Sequence, residues 1–399
     1  MAVAASCAAM PPGTAGSPHR PQCAEAGAGK EVSTVEPATV GLDAEKVDAA
    51  LAYAVAKGSQ SVRIYRHGCL VGAGAGDPAM VDVHLPAWSM TKGVVSMLVG
   101  RAVELGVLDI DAPISTYLAL SDPRKSALSV RQFLNQTTGL RLDWISDLLD
   151  ATGDSAAKLF ERPFEAVPGT TFLYAQTAVT ALVAVIEAAV GEDLQSFAQR
   201  ELFDPIGIGR DDWDWARDGA GRSQGFAFLQ MTPPAFGRLG RLLLQDGAWA
   251  GRRLLPASYI AEGRRGTTAN PCYGFLWRNN DGVGCGQTGP LLGLETDTNW
   301  MPAVPTDAYA LAGMFDQLIV VIPSLDMVVV RLGLPHQLAP DPWGDVDGAQ
   351  PSMTWRFFRT LMSGVTDVEV VDPGEWSPTS MGDVDLLHIL PIPLPEPTW

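Results

Sequence analysis

The chain has 399 residues, of which 47% are hydrophobic and 18% are charged, and its formal net charge is −17. This composition is that of a globular protein with a core of ordinary size, and the negative field disfavours a nucleic-acid partner because it repels phosphate. No apolar run approaches the roughly 18 residues that a membrane-spanning helix needs, so the sequence predicts no membrane segment.

The cysteines are few and scattered, and they lack the paired spacing of a zinc site. They are Cys7, Cys23, Cys69, Cys272 and Cys285. No disulfide framework is signalled, although one pair could bridge, and the odd number fits a reducing compartment better. The N-terminus has no positively charged start and reaches Pro11 before a full apolar region is built, which does not support a signal peptide. We therefore expect a cytoplasmic protein.

Residues 1–36 are rich in Ala, Gly, Pro and Ser without a period, which predicts a disordered N-terminal arm. Regular patterns begin after this arm. The elements predicted next are a helix capped by Asp43 and ended by Gly58, a hairpin of strands Ser61–Arg66 and Cys69–Ala73, and a long apolar helix from Ser89 to about Glu104.

Residues 107–270 are dominated by helical patterns, with turns marked by Pro and Gly between them. Three of these predicted helices are Ala178–Ala189, Leu194–Leu202 and Ala235–Leu244. The pattern then changes to strands, which are predicted at Tyr273–Arg278, Ala308–Gly313, Gln317–Ile322 and Met327–Leu332, with a closing helix at Met353–Met362.

This order of elements predicts an α/β (α+β) fold, in which an antiparallel sheet flanked by helices is built from both ends of the chain. The sheet domain is predicted to comprise residues 37–106 and 271–365, and an all-helical domain, residues 107–270, is inserted into it. Residues 366–399 form a Pro-rich acidic tail, for which packing against the body, packing against a partner and disorder all stay open.

Two polar side chains at the start of the long apolar helix carry the first chemical signal. Ser89 and Lys92 are spaced i, i+3, which places them as neighbours on one helix face. A serine in the first helical turn lies at the positive end of the helix dipole, where backbone N–H groups favour a developing oxyanion. Lys92 can accept the hydroxyl proton if burial against apolar neighbours lowers its pKa. Alone, this spacing is also typical of a capping serine before a surface lysine.

The segments around this pair give the Ser-x-x-Lys spacing its context. They are Trp88–Leu118, Val130–Leu140, Pro168–Gln176, Leu202–Gly207 and Leu254–Pro256. Together they resemble the class C β-lactamase-like family, within the superfamily of serine β-lactamases and penicillin-binding proteins. The resemblance covers residues of about 40–362 and implies a β-lactamase/transpeptidase-like fold, with Ser89 as nucleophile, Lys92 as its base and no cofactor or metal.

The resemblance also implies roles for two residues in the Pro168–Gln176 segment. Tyr174 stands at the tyrosine of the family's Tyr-x-Asn motif, where a phenol near Lys92 can relay protons between nucleophile and leaving group. Gln176 stands where the family usually has Asn, so it is a candidate for binding a substrate carbonyl with its longer side chain.

The third motif departs most from the family, which usually has Lys-Thr-Gly or a His-Gly-Gly-like variant there. The segment that best matches it is Gly313–Gln317, which lacks the cation or imidazole. The backbone N–H of Met314 can still be the second oxyanion donor beside that of Ser89, while Phe315 offers an apolar wall. Asp316 is a candidate contact for a cationic or polar substrate, such as an amine acceptor, or else an exposed acid at a strand end.

Trp144, Phe315 and Trp277 are candidates to line the acyl pocket, although each is also an ordinary core residue type. The missing cation favours the family's esterases, amide hydrolases and transacylases over its β-lactamases and D,D-peptidases. The sequence therefore predicts a serine acyl-enzyme hydrolase or transacylase that acts on a small ester or amide, with water or an amine as acceptor. The alternatives are a β-lactamase or D,D-peptidase, and a non-catalytic binding module on the same fold.

Overall fold

The structure, a computed structural model, describes residues 23–149, 152–285, 299–333 and 353–374. Its first elements are α1 (Ala44–Ala56), β1 (Ser59–Arg66), β2 (Cys69–Ala73), β3 (Leu85–Pro86) and α2 (Met90–Glu104). The middle elements are α3 (Pro123–Ser126), α4 (Val130–Leu134), α5 (Trp144–Leu149), α6 (Ser155–Glu161), α7 (Gln176–Val190) and α8 (Leu194–Ala198). The next are β4 (Trp213–Trp215), β5 (Leu229–Met231), α9 (Pro233–Leu244), β6 (Ala248–Trp249), β7 (Arg252–Arg253) and α10 (Ala257–Gly263). The last are β8 (Arg278–Asn279), β9 (Tyr309–Gly313), β10 (Gln317–Ile322), β11 (Met327–Gly333) and α11 (Met353–Met362).

An antiparallel sheet with strand order β2-β1-β11-β10-β9-β8 forms the centre of the fold. Strands from both ends of the chain meet in it, because β1 pairs with β11 from Ser59 opposite Gly333 to Arg66 opposite Met327. The mixed fold with an antiparallel sheet flanked by helices is confirmed.

Helices cover both faces of this sheet, and an apolar core lies between the helices and the sheet on each face. One core joins α1 and α11 to one face, and the other joins α2 and α9 to the opposite face and continues into the helical region around α7. Helix α2 contacts both β9 and α7. It therefore lies between the sheet and the helical region, and its N-terminus, with Ser89, is placed where the two regions meet.

Most predicted elements appear with small shifts at their ends. The side chain of Asp43 caps α1 by accepting a hydrogen bond from the Lys46 N–H, as the sequence predicted. The predicted strand Tyr273–Arg278 is wrong: β8 retains only Arg278–Asn279, and Leu276 has a left-handed backbone (φ +60°) that an extended strand does not accommodate.

Two helices within the predicted helical domain, residues 107–270, contact elements of the predicted sheet domain. Helix α9 packs on β10 and β11, and Gly240 lies so close to Val328 and Ile319 that a side chain there would collide with the sheet. Helix α10 packs its Tyr259 against Gly100 of α2. Hydrophobic periodicity identified α9 as a helix, but it does not say which apolar surface the helix covers.

Part of the predicted disordered arm is fixed to the body; residues 1–22 of that arm lie outside the described residues. The Val35 N–H donates to the Leu70 carbonyl at 3.0 Å, the Leu70 N–H donates to the Ser33 carbonyl at 3.1 Å, and Thr34 forms a bridge with Leu70. Arg238 donates to the carbonyls of Ala26 and Gly27 at 3.1 and 2.8 Å. We call residues 23–36 the N-terminal strap. Its backbone hydrogen-bonding groups and acids explain the attachment, which its composition did not predict.

The start of the predicted C-terminal tail also packs on the body. Thr366 N–H donates to the Gly41 carbonyl at 3.0 Å, Asp367 pairs with Arg66 and Asp372 pairs with Arg359. Residues 375–399 of the tail lie outside the described residues.

Two disulfides link Cys23 to Cys69 and Cys272 to Cys285. The first fastens the strap to β2. The expectation that the cysteines form no disulfide framework is wrong. The spacing of cysteines along the chain does not indicate which of them meet in the folded protein. Disulfides are typical of oxidising compartments, so the cysteine pattern no longer supports a reducing one.

We expect that alkylation of the unfolded, unreduced protein will label only Cys7 among the five cysteines, and that prior reduction will expose all of them. Peptide mass spectrometry after proteolysis measures this, and it also identifies the linked pairs. Labelling of Cys23, Cys69, Cys272 and Cys285 without reduction would contradict the pairing. The same experiment on protein purified under alkylating conditions excludes oxidation during handling.

None of the helices within the described ranges combines the length and apolar character that a bilayer-spanning segment requires.

Candidate active site

Ser89 lies immediately before α2 and is followed by tight turns. The N–H groups of Met90, Thr91 and Lys92 donate to the carbonyls of Ala87, Trp88 and Ser89, so the chain enters the helix without a break. Trp88 has a left-handed backbone (φ +46°), a conformation that is unfavourable for a bulky residue. The serine is thereby presented, half-buried, at the positive end of a 15-residue helix.

The Lys92 side chain is fully buried, and its ammonium lies next to the predicted nucleophile. Lys92 Nζ donates to Ser89 Oγ at 2.9 Å and to the Phe226 carbonyl at 2.9 Å. It also lies 4.7 Å from the centre of the Tyr174 ring. The structure thus brings together the three residues that the sequence predicted to be catalytic.

Burial lowers the pKa of Lys92, because desolvation disfavours the ammonium; the neighbouring Tyr174 and Asp147 oppose this shift. Burial alone would raise the pKa of Tyr174. The positive charge of Lys92 and a hydrogen bond with Ser89 outweigh burial, so the pKa of Tyr174 is lowered. Proton exchange at this serine requires a lysine that loses its proton easily and a phenol that is more acidic than usual, and both pKa shifts are in these directions.

Strand β9 ends against the nucleophile. A side-chain carbon added at Gly313 would lie 2.4 Å from the Ala87 carbonyl oxygen and 3.0 Å from the Ser89 nitrogen, so only glycine fits there. The next residue, Met314, is partly buried and starts the turn Met314–Asp316. The backbone around the two predicted oxyanion donors, Ser89 and Met314, is therefore in direct contact.

The turn after β9 contains Phe315 and Asp316, both partly buried and both left-handed, with φ of +64° and +56°. The Phe315 ring meets the Trp88 ring edge-on, with 5.5 Å between centroids. Asp316 interacts electrostatically with the buried Arg331. The carboxylate therefore acts on a cation of the protein itself, which gives it a role besides the predicted contact with an amine.

Asp147 supports the tyrosine segment from behind. Its buried carboxylate accepts hydrogen bonds from the Gln176 and Thr177 N–H groups at 2.6 and 3.3 Å, which satisfies the first free donors of α7. It also pairs with Arg162 at 2.5 Å. Burial raises the pKa of Asp147, and Arg162 opposes this shift. The carboxylate thus fixes the start of α7 directly after Tyr174.

We expect Asp147→Ala to lower the free energy of unfolding by about 3–5 kcal/mol, because it removes the buried carboxylate that pairs with Arg162 and leaves two helix donors unsatisfied. Urea unfolding followed by circular dichroism measures this change. Asp143→Ala, at a partly buried acid on the preceding segment, is the matched control and should cost far less. Equal stabilities of the two variants would show that Asp147 has no such role.

The predicted substrate contacts fall into two groups. Trp144 and Gln176 are buried beside Tyr174: the Trp144 ring lies 6.0 Å from the tyrosine ring, and Gln176 Oε1 has no hydrogen-bond partner among the described residues. Trp277, in contrast, is 0% exposed, and its indole N–H donates to the Gly93 carbonyl at 3.2 Å. The prediction that Trp277 lines the acyl pocket does not match this core position.

Sequence reasoning missed a second cation near the tyrosine. Arg278, at the start of β8, forms a backbone bridge with Tyr273, whose ring lies 5.9 Å from that of Tyr174. Burial lowers the pKa of Arg278, and both tyrosines oppose this shift. No pattern in the sequence singled out Arg278, because the segment before it is not the extended strand that was predicted.

A serine hydroxyl, a desolvated lysine and an acidic phenol in mutual contact form a nucleophile with a base and a proton donor. The backbones of Ser89 and Met314, the two predicted oxyanion donors, lie beside this group through the close fit of Gly313 against Ser89.

A family model described as Beta-lactamase matches residues 45–333 of this chain. Among curated proteins, the chain is 26% identical over 155 residues to Esterase EstB from Burkholderia gladioli, a match that spans 34% of this chain and 39% of that esterase. The chain therefore matches less than half the length of that relative.

Solved structures share the fold. A beta-lactamase from Mycobacterium bovis superposes with a TM-score of 0.54 and 16% identity, covering 77% of this chain and 95% of that one. A family VIII carboxylesterase superposes with a TM-score of 0.56 and 18% identity, covering 79% and 96%. At sequence identities this low, the superpositions show a common fold. The site described above lies in that fold.

Proposed function

The chain belongs to the beta-lactamase family, and on this premise we propose that it is a serine hydrolase that forms an acyl-enzyme on Ser89 from a small ester or amide. The observation that carries the proposal is the 2.9 Å contact between Lys92 Nζ and Ser89 Oγ, with Lys92 over the Tyr174 ring. A buried lysine in this position serves as a base rather than as a surface charge.

In the first half of the proposed reaction, neutral Lys92 takes the Ser89 proton as Oγ attacks the carbonyl carbon. The N–H groups of Ser89 and Met314 hold the oxyanion that forms. When the tetrahedral intermediate collapses, the bond to the leaving group breaks and Tyr174 protonates that group. The phenolate then regains its proton from the Lys92 ammonium, which restores the neutral amine.

In the second half, water, an alcohol or an amine attacks the acyl-enzyme with the same groups in reverse roles. Exclusion of water decides between hydrolysis and transfer. Half-buried Trp88 and Phe315 beside Ser89 favour an apolar acyl group. The segment Gly313–Gln317, which stands at the family's third motif, lacks the cation or imidazole that the motif usually carries. This favours esterase, amide hydrolase or transacylase activity over β-lactamase or D,D-peptidase activity.

Intact-protein mass spectrometry tests the proposal. The protein is exposed to 4-nitrophenyl acetate, butyrate and benzoate and to one β-lactam, and each reaction is quenched with acid at increasing times. We expect a mass gain of one acyl group from at least one ester. Its decay with and without added amine or alcohol then separates a hydrolase from a transacylase. Absence of any covalent adduct with all esters would favour the non-catalytic binding module.

A further inference from the structure

We infer that Arg331 is a positioning residue for the oxyanion hole: it holds the left-handed Phe315–Asp316 turn and so keeps the Met314 N–H aimed beside that of Ser89. This inference rests on the proposed function, because it assigns a part to Arg331 in the same acyl transfer. Arg331 lies on β11, two strands away from β9, and is only 3% exposed.

The guanidinium reaches the turn through backbone oxygens. Arg331 Nη1 donates to the Phe315 carbonyl and, at 3.3 Å, to the Asp316 carbonyl. Gln317 Nε2 donates to the same Phe315 carbonyl at 2.9 Å, and the Gln317 amide is itself fixed by the backbone of Gly333, with contacts of 2.6 and 2.9 Å. Buried donors from two strands therefore converge on one carbonyl.

The turn needs such an anchor because its backbone is unfavourable. Left-handed φ at two successive non-glycine residues is costly, and such a conformation persists only where surrounding contacts impose it. Met314 directly precedes these residues, so a relaxation of Phe315 and Asp316 towards ordinary φ values turns the peptide plane of the proposed donor away from Ser89.

The backbone on the Ser89 side of the proposed oxyanion hole is also in an unfavourable conformation. Trp88, directly before Ser89, is also left-handed, and its ring meets Phe315 edge-on. Gly313 fits against Ala87 and Ser89 without space for a side chain. The two donor segments are thus locked to each other, and Arg331 is the buried charge that secures the β9 side. Asp316 offsets this charge, which explains an acid at this position.

The experiment compares Arg331→Met with wild type in single-turnover acylation. The substrate is a 4-nitrophenyl ester that forms a covalent adduct with the wild-type protein. We expect the acylation rate constant to fall about 10- to 100-fold, with ester binding changed less than about threefold, because the oxyanion contact forms only in the transition state. Affinity for phenylboronate, which forms a tetrahedral adduct with a serine, should fall in parallel. Ser59→Ala, which removes the hydrogen bond from Arg331 Nε to Ser59 Oγ, is the control and should keep the wild-type rate.

Two double variants separate positioning from a general loss of structure. Adding Asp316→Gly to Arg331→Met should restore about five- to tenfold in rate, because glycine adopts left-handed φ without cost. Adding Asp316→Asn removes the same charge, and because Asn adopts left-handed φ less readily than glycine, it should restore much less of the rate. If Arg331→Met does not fold, Phe315→Gly and Phe315→Ala replace it, and the glycine variant should acylate faster.

A folded Arg331→Met protein with the wild-type acylation rate overturns the inference, and so does equal recovery by the Gly and Asn double variants. If Arg331→Met fails to fold, a Phe315→Ala rate equal to or above that of Phe315→Gly overturns it. Failure of the wild-type protein to acylate at all would instead overturn the proposed function.

Discussion

Ser89→Ala abolishes acyl-enzyme formation and lowers turnover of any reactive ester by about 10⁴-fold or more, as loss of a nucleophile does elsewhere. The substitution removes one oxygen that is half-buried and accepts a hydrogen bond from Lys92, so the fold should survive. Intact-mass spectrometry after ester treatment measures the adduct, and release of nitrophenolate measures turnover.

Ser96→Ala is a matched control on the same helix, because Ser96 is buried and its hydroxyl is hydrogen-bonded to Tyr259. It should be acylated at close to the wild-type rate. An adduct on the Ser89→Ala protein that maps to another residue after proteolysis would show that Ser89 is not the nucleophile.

Lys92→Met should lower the acylation rate by about 10²–10⁴-fold, the range that a positioned general base contributes. Met fills most of the same space without a charge. In the wild type, acylation needs the neutral amine, so its rate should rise with pH up to the pKa of Lys92. Burial places that pKa below the value of a solvated lysine. Stopped-flow acylation from pH 5 to 10 measures both the loss and the profile.

Lys92→Arg distinguishes a base from a fixed charge, because a guanidinium keeps its proton throughout this pH range. We expect it to be as slow as Lys92→Met and to lack the rise with pH. Wild-type activity in the arginine variant would show that the site needs only positive charge, and the proton path would then have to begin at Tyr174.

Local patterns in the sequence predicted most of the fold. Helix α11 and strand β10 have the predicted bounds, because each has a strong period and clear turn residues beside it. The errors lie in segments whose position depends on contacts with residues that are distant in the sequence. The strap is attached through Arg238 and Cys69, and α9 belongs to the sheet through its contact with β11. Neither partner is close to these segments in the sequence.

In the candidate site, too, some residues could be predicted from the sequence and others could not. Ser89, Lys92 and Tyr174 carry distinctive side chains in family-like segments, and they meet in the structure. The Phe226 carbonyl that binds Lys92 is a backbone atom, so no residue type identifies it. Asp147 and Arg331 act from behind the reacting groups and were missed, because a capping acid or a buried arginine has no specific spacing. Trp277 was misplaced because periodicity alone does not separate a core tryptophan from a pocket wall.

The N-terminal strap sets where a stable recombinant chain has to begin. Arg63, Arg238 and Arg241 are almost fully buried and find their acceptors in Glu31, the strap carbonyls and Glu25. A chain trimmed to start at the first regular helix would keep every strand and yet remove the Glu25 partner of Arg241 and the strap carbonyls that bind Arg238, whereas Arg63 would keep only Asp77 of its two acidic partners. The minimal folding unit is therefore longer than its regular secondary structure, and residues that look like a dispensable leader are part of its ionic interior.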